Sequence, residues 1–90
     1  MKTKVSNITS HNGNDVPNQF IIKDEHGNTF FQSYSSIIAV RRPGGVVELD
    51  EIYWDYSKTT GKYRNMFLGE SKKETEAKIK AGVYKLTNLN

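Results

Sequence analysis

Aromatic and β-branched residues between positions 19 and 54 gather in short runs that turn residues separate. Four runs occupy residues 20–24, 29–34, 37–42 and 46–50. Runs of this length and composition are typical of β-strands. The pattern predicts an antiparallel meander of about four strands, with residues 52–54 either extending the last strand or bending away from it.

Two of the separating segments have the composition of tight turns. Gly27 and Asn28 lie between the first two runs and can supply the positive φ values that a short hairpin turn needs. Pro43 followed by Gly44 matches the preference of a type II turn. Both segments indicate that neighbouring strands are joined by hairpins.

After residue 56, helix signals replace strand signals. Ser57 or Thr60 can cap a short helix over residues 62–68, and Gly69 supplies its C-terminal stop. Within this helix three apolar residues recur at i, i+3 and i+4 and form a stripe that faces the sheet: Tyr63, Met66 and Phe67.

A second helix is predicted over residues 72–81. Ser71 and Glu74 form a capping box that opens it, and Gly82 ends it. Residues 83–89 predict a final strand that returns to the edge of the sheet. The expected fold is therefore α+β, with a small antiparallel sheet of about four to five strands and two short helices.

The N-terminal segment, residues 1–18, has no hydrophobic periodicity and is rich in Asn, Ser, Thr, Gly and Lys. Val5 and Ile8 are its β-branched aliphatic residues before Val16. Such composition is typical of a mobile terminus. We expect a flexible, disordered tail at residues 1–18 and a single α+β domain at residues 19–90, because ninety residues suit one domain.

The net charge of +3 is unevenly distributed along the chain. Residues 19–56 carry a net charge of −3, whereas residues 57–90 carry +5. This asymmetry can give the folded domain two oppositely charged faces that steer binding, or it can hold the two halves together by mutual attraction.

Composition also indicates the cellular compartment. The chain has no cysteine, which excludes disulfides and thiolate metal sites and fits a reducing compartment. Its start lacks the apolar run of a signal peptide, and no stretch approaches the roughly 18 apolar residues of a membrane span. The expected location is the cytoplasm, with no membrane partner.

Residues suited to catalysis are sparse. The two histidines, His11 and His26, do not lie in a metal-ligand spacing. The adjacent carboxylates of Asp50 and Glu51 would point to opposite faces of a strand, so they cannot converge on one substrate atom. We therefore expect no catalytic residue, no metal site and no cofactor, and we predict that the chain is not an enzyme.

Ten aromatic residues are too many for one face of a small sheet, which points to an exposed binding patch. The predicted patch combines aromatic rings with interleaved carboxylates: Tyr53, Trp54, Tyr56, Asp50, Glu51 and Asp55. It suits an arginine-rich protein groove, because guanidinium groups pair with carboxylates and stack on aromatic rings. The alternative is that helices and tail cover both faces of the sheet and bury these rings.

The basic C-terminal third supports a different hypothesis. Residues 60–81 can be interpreted as two helices joined by a turn at residues 69–71. The second helix carries four lysines that could meet phosphates: Lys72, Lys73, Lys78 and Lys80. However, glutamates lie four residues before two of these lysines, which is also typical of an ordinary exposed helix.

Three segments carry a resemblance to a known group of proteins: residues 31–39 (FQSYSSIIA), residues 54–68 (WDYSKTTGKYRNMFL), and Glu74-Thr75 together with residues 82–86. They resemble a family of short phage and mobile-element proteins of largely unknown function. The resemblance covers most of residues 19–90 and carries over no catalytic residue. It implies a stoichiometric binder of host machinery, since small phage proteins of this kind include inhibitors of CRISPR nucleases.

The leading hypothesis is a phage-derived, non-enzymatic binding protein that acts in the host cytoplasm. It would inhibit or redirect a host protein or ribonucleoprotein complex, with an anti-CRISPR-like inhibitor as the narrower form. The alternative is a small DNA- or RNA-binding regulator that uses the basic C-terminal third. A virion or assembly component is a third possibility.

Overall fold

A mixed sheet of six strands is present in the computed structural model, which describes residues 3–10 and 12–90. In chain order the strands are β1 (Lys4–Thr9), β2 (Asp15–Lys23), β3 (Thr29–Ser33), β4 (Ser36–Arg41), β5 (Val47–Asp50) and β6 (Lys85–Thr87). The spatial order is the same, and neighbours are antiparallel except for the parallel pair β5 and β6. A parallel pair needs a crossover, which here contains helices α1 (Lys58–Leu68) and α2 (Lys72–Lys80).

The predicted turns form with one difference. The Pro43-Gly44 turn has the expected type II character, with φ of 84° at Gly44. In the β2–β3 hairpin Gly27 adopts a φ of 85°, but Asn28 does not adopt a positive φ. Instead, the carboxylate of Asp24 accepts the backbone N–H of Asn28 at 2.9 Å and closes the turn.

Both helices begin at side-chain caps. Ser57 accepts the N–H of Thr60 at 3.1 Å, so α1 starts four residues earlier than expected, and it ends at Gly69 with φ of 70°. Ser71 and Glu74 form the predicted capping box of α2. In the described part of the chain, no helix is long and apolar enough to cross a membrane.

The strand register decides which side chains face the helices. Phe31 pairs with Ala39, and Ala39 pairs with Leu49. All three are fully buried and belong to clusters that include helix side chains. The neighbouring pair Phe30 and Val40 points to the opposite face of the sheet, because successive residues of a strand alternate.

Two apolar clusters fill the space between sheet and helices. The first combines Ala39, Val47, Leu49 and Tyr84 with Trp54, Phe67, Leu68 and Ile79. The second combines Ile8, Phe31 and Ile38 with Val16, Ile21, Tyr53, Tyr63 and Phe67. Phe67 belongs to both, and its ring lies 5.8 Å from that of Phe31. This side chain therefore ties α1 to the centre of the sheet.

The α+β class with two helices agrees with the prediction, but six strands in the described chain exceed the four to five expected. The prediction of an antiparallel sheet is also wrong, because β6 returns through the helical crossover and pairs in parallel with β5. The extra strand is β1, which pairs with β2 where the sequence predicted a flexible tail. The signal was weak because β1 is an edge strand that buries a single apolar side chain, Ile8. Residues 1, 2 and 11, including His11, lie outside the described residues.

Candidate functional site

Asp50 ends β5 and organises the segment that follows it. One carboxylate oxygen accepts the N–H groups of Ile52 and Tyr53 at 3.1 and 2.9 Å, and the other accepts that of Leu89 at 2.9 Å. Only 1% of Asp50 is exposed. Burial alone would raise the pKa of this carboxyl, but the N–H donors outweigh burial and lower the pKa. Asp50 is therefore a buried structural anion that joins β5 to the C-terminus.

The predicted aromatic and acidic patch is only partly assembled at the surface. Glu51 and Tyr56 are exposed, whereas Tyr53 and Trp54 are half-buried. The rings of Tyr53 and Tyr56 meet edge to face, with centroids 5.7 Å apart. Because Asp50 is buried, the structure does not place a ring of carboxylates around these aromatic side chains.

Arg64 on α1 is the largest fully buried side chain among the described residues. Its Nη1 donates to the carbonyl of Trp54 at 2.7 Å and to Asp55 Oδ1 at 3.2 Å, and its Nη2 donates to Asn65 Oδ1 at 3.0 Å. The guanidinium carbon lies 5.2 Å from the centre of the Trp54 ring. Its Nε has no hydrogen-bond partner among the residues that the structure describes. The buried guanidinium of Arg64 therefore holds α1 against the segment that precedes it.

A concavity of about 470 Å³ lies beside this guanidinium, and we call it the basic concavity. It is lined by Asp55, Ser57, Lys58, Gly61, Lys62, Arg64, Asn65 and Lys72. Four of these residues are cationic and one is anionic, so the lining carries a net charge of +3. The ammonium groups belong to partly or fully exposed side chains and can move towards a ligand.

The single carboxylate of the basic concavity is shared between two cations. Asp55 Oδ2 lies 2.8 Å from Lys72 Nζ, and Asp55 Oδ1 contacts Arg64. Burial would raise the pKa of Asp55, but Lys72 and Arg64 together lower it. The hydrogen bond to Asp55 raises the pKa of Lys72. Asp55 and Lys72 are therefore charged at neutral pH, and the positive charge of the lining is only partly neutralised.

The four lysines predicted on α2 are not brought together on one surface. Lys72 lines the basic concavity, whereas Lys73 and Lys80 lie on a separate surface with Glu76. Lys78 is committed to an ion pair with Glu70, at 2.6 Å between Nζ and Oε1.

Glu70 forms a buried polar cluster that fixes α2 to the sheet. Its carboxylate accepts from Lys78 Nζ, from Thr75 Oγ1 at 2.6 Å and from the Tyr84 hydroxyl at 2.9 Å. Burial would raise the pKa of Glu70, but the hydrogen bond from Lys78 and those from the two hydroxyls lower it. Lys78 therefore stabilises the fold rather than presenting a free cation to a partner.

Sequence reasoning did not single out three cations of the basic concavity: Lys58, Lys62 and Arg64. Lys58 and Lys62 are four residues apart on a helix, which places them on one face, so their spacing was a usable signal. Arg64 follows Tyr63 in an apolar stripe, and its burial depends on contacts with Trp54 that the helix pattern does not reveal.

Metal-binding chemistry has no visible basis in the described residues, which contain no group of three or more His, Cys, Asp or Glu that could hold an ion. His26 is exposed and lies 3.6 Å from Glu25 at its Nε2.

Comparison with known proteins gives one match. No curated protein and no solved structure matches this chain. A family model matches residues 3–82, which include β1, both helices and every residue of the basic concavity. The chain therefore belongs to the family of unknown function DUF8033.

Proposed function

We propose that this chain is a non-catalytic binding domain whose basic concavity contacts the backbone of a nucleic acid. The observation that carries the proposal is the lining itself, in which Asp55 is the one carboxylate against four cations. The sugar–phosphate backbone is the macromolecular surface with the densest negative charge, and lysines supply the sequence-independent part of its binding.

The positions of the cations support contact with a partner. Lys58 and Lys62 are exposed on α1, and Lys72 is half exposed at the start of α2. Arg64 lies behind them and is held by Asp55, so its charge is fixed in place. Fixed charge behind mobile ammonium groups attracts an anion without requiring one rigid geometry.

Charge reversal tests this proposal. The Lys58→Glu/Lys62→Glu double variant should bind a fluorescently labelled 20-nucleotide DNA or RNA at least about tenfold more weakly than the wild type at low salt. The slope of log affinity against log salt concentration should fall by about 1.5–2, because two phosphate contacts are lost. Fluorescence anisotropy over a salt titration measures both quantities.

A matched control separates a local site from general charge. Lys23→Glu/Lys85→Glu makes the same change in net charge at exposed strand positions outside the basic concavity. It should weaken binding by less than about threefold, since distant exposed charges are screened. Equal losses in both double variants would show that the basic concavity has no special role.

A protein partner is the second candidate, favoured by the exposed apolar side chains of Ile52 and Tyr56, which are 69% and 55% exposed. Exposed aromatic residues are frequent binding hot spots. The resemblance to phage proteins adds that the partner belongs to a host complex, with an anti-CRISPR-like inhibitor as the narrower proposal. Glu51 precedes Ile52 in the chain, is also exposed, and matches a basic partner surface.

Pull-down from nuclease-treated host lysate tests this second candidate. The wild type should recover one protein complex in stoichiometric amount, and Tyr56→Ala should recover at least about tenfold less while remaining folded, because hot-spot truncation costs 2 kcal/mol or more. Lys80→Ala, an exposed position on α2, is the control. Recovery of nucleic acid alone from untreated lysate would contradict the protein-partner proposal.

A further inference from the structure

The guanidinium beside the basic concavity is incompletely satisfied. Arg64 is 1% exposed, and its Nε has no partner in the described chain. Asp55, its ionic partner, also holds Lys72. Buried polar groups are nearly always hydrogen-bonded, and a buried cation is stabilised only when it is well paired. The combined positive charge of Arg64 and Lys72 therefore exceeds the negative charge of Asp55, the carboxylate that they share.

Gly61 lies next to this guanidinium and has no side chain. It lies inside α1, it is buried, and it lines the basic concavity. Its φ is not in the left-handed region, so the helix backbone does not require glycine here, and glycine is unfavourable inside a helix. A Cβ at this position would lie 3.6 Å from Arg64 Nη2. A side chain at this position would therefore contact the guanidinium, and glycine leaves this part of the lining of the basic concavity without one.

The shape and charge of this space suit a compact anion. The lining carries a net charge of +3 within about 470 Å³, a volume in the range of small-molecule sites. Ser57 and Lys58 at the start of α1 also line it, and the helix dipole adds partial positive charge there. Lysine and arginine together with a helix N-terminus are a common setting for phosphate.

We infer that the basic concavity seats a single phosphate monoester over Gly61, as found at the phosphorylated end of a nucleic acid. This inference rests on the proposed function, because it concerns the same surface. A monoester carries more negative charge than a backbone diester and presents three terminal oxygens. It can therefore accept from Lys58, Lys62 and Lys72 together, whereas a diester offers two free oxygens.

Inorganic phosphate is the first probe, titrated into the full chain at constant ionic strength and followed by amide NMR. The amides of Lys58, Gly61 and Lys62 should shift together and saturate. Gly61→Ala should bind phosphate at least about fivefold more weakly, because the added methyl group lies in the basic concavity next to the guanidinium. The variant should remain folded, since alanine is more favourable than glycine inside a helix. Lys80→Gln, outside the basic concavity, should leave the titration unchanged.

Oligonucleotides with and without a 5′-phosphate form the second arm. The phosphorylated strand should bind about tenfold more tightly to the wild type than the 5′-hydroxyl strand, and Gly61→Ala should remove this preference. Equal binding of both strands, or shifts that do not saturate, would overturn the inference. Tight binding without a 5′-phosphate preference leaves the proposed function intact, whereas phosphate binding without oligonucleotide binding contradicts only the proposed function.

Discussion

Replacing Asp50 with alanine should cost about 3–5 kcal/mol of the roughly 5–13 kcal/mol of unfolding free energy expected for a domain of this size. The carboxylate accepts three backbone N–H groups, from Ile52, Tyr53 and Leu89. Alanine leaves these donors without their acceptor and releases the C-terminus from the end of β5. Urea unfolding followed by the fluorescence of Trp54, the single tryptophan, measures the loss.

Glu51→Ala is the matched control, because Glu51 is the neighbouring carboxylate and is exposed. It should change stability by less than about 0.5 kcal/mol. Equal effects of the two alanine variants would show that the buried hydrogen bonds of Asp50 contribute little.

The acid limb of the stability curve gives an independent check on Asp50. Its pKa in the folded chain lies below the ordinary value of 3.8. The stabilisation is therefore complete above that value and is lost as the pH falls through the lower folded pKa. Asp50→Asn should be less stable than the wild type at neutral pH, and the difference should shrink as the pH falls below 3.8.

Phe31→Ala should cost about 3–5 kcal/mol, because Phe31 is fully buried between the sheet and α1. Its ring stacks on Phe67 with an interplanar angle of 28°, and it contacts the cluster that includes Ile8 and Ile38. Truncation leaves a cavity at the point where α1 meets the sheet. The unfolding midpoint in urea, with the slope unchanged, measures this loss.

Phe30→Ala makes the same chemical change one residue away, on the face opposite the helices. Phe30 is half-buried and belongs to neither of the two apolar clusters that include helix side chains, so the cost should be about 1–2 kcal/mol. A cost as large as that of Phe31→Ala would contradict the assignment of the two faces.

Local chemistry made much of this fold predictable. The Pro43-Gly44 turn, the Ser71–Glu74 capping box and the stop at Gly69 all depend on neighbours within four residues, and all form as expected. The strand runs 20–24 and 29–34 were recognisable because their side chains are mostly apolar. β1 was not recognisable, because an edge strand is held largely by backbone hydrogen bonds, and the pattern of side chains does not reveal them.

The candidate site was less predictable, because it too depends on contacts between segments that are distant in the sequence. Sequence order placed Tyr53, Asp55 and Tyr56 close together, and they are close. It also placed Asp50 among them, but Asp50 is buried and accepts the N–H of Leu89, thirty-nine residues later in the chain. The cations of the basic concavity come from α1 and from the start of α2, and their convergence depends on the packing of the α1–α2 connection.

The residues themselves therefore specified the α+β class, the Pro43-Gly44 turn, the caps and the lack of cysteine chemistry, since each of these is a property of composition or of near neighbours. Tertiary packing alone decided that Phe31 rather than Phe30 enters the core, because strand register selects the face. It also decided that Arg64 is buried while Lys58 and Lys62 stay exposed on the same helix. The sequence determines which side chains carry a charge, but whether that charge is neutralised depends on contacts between distant segments.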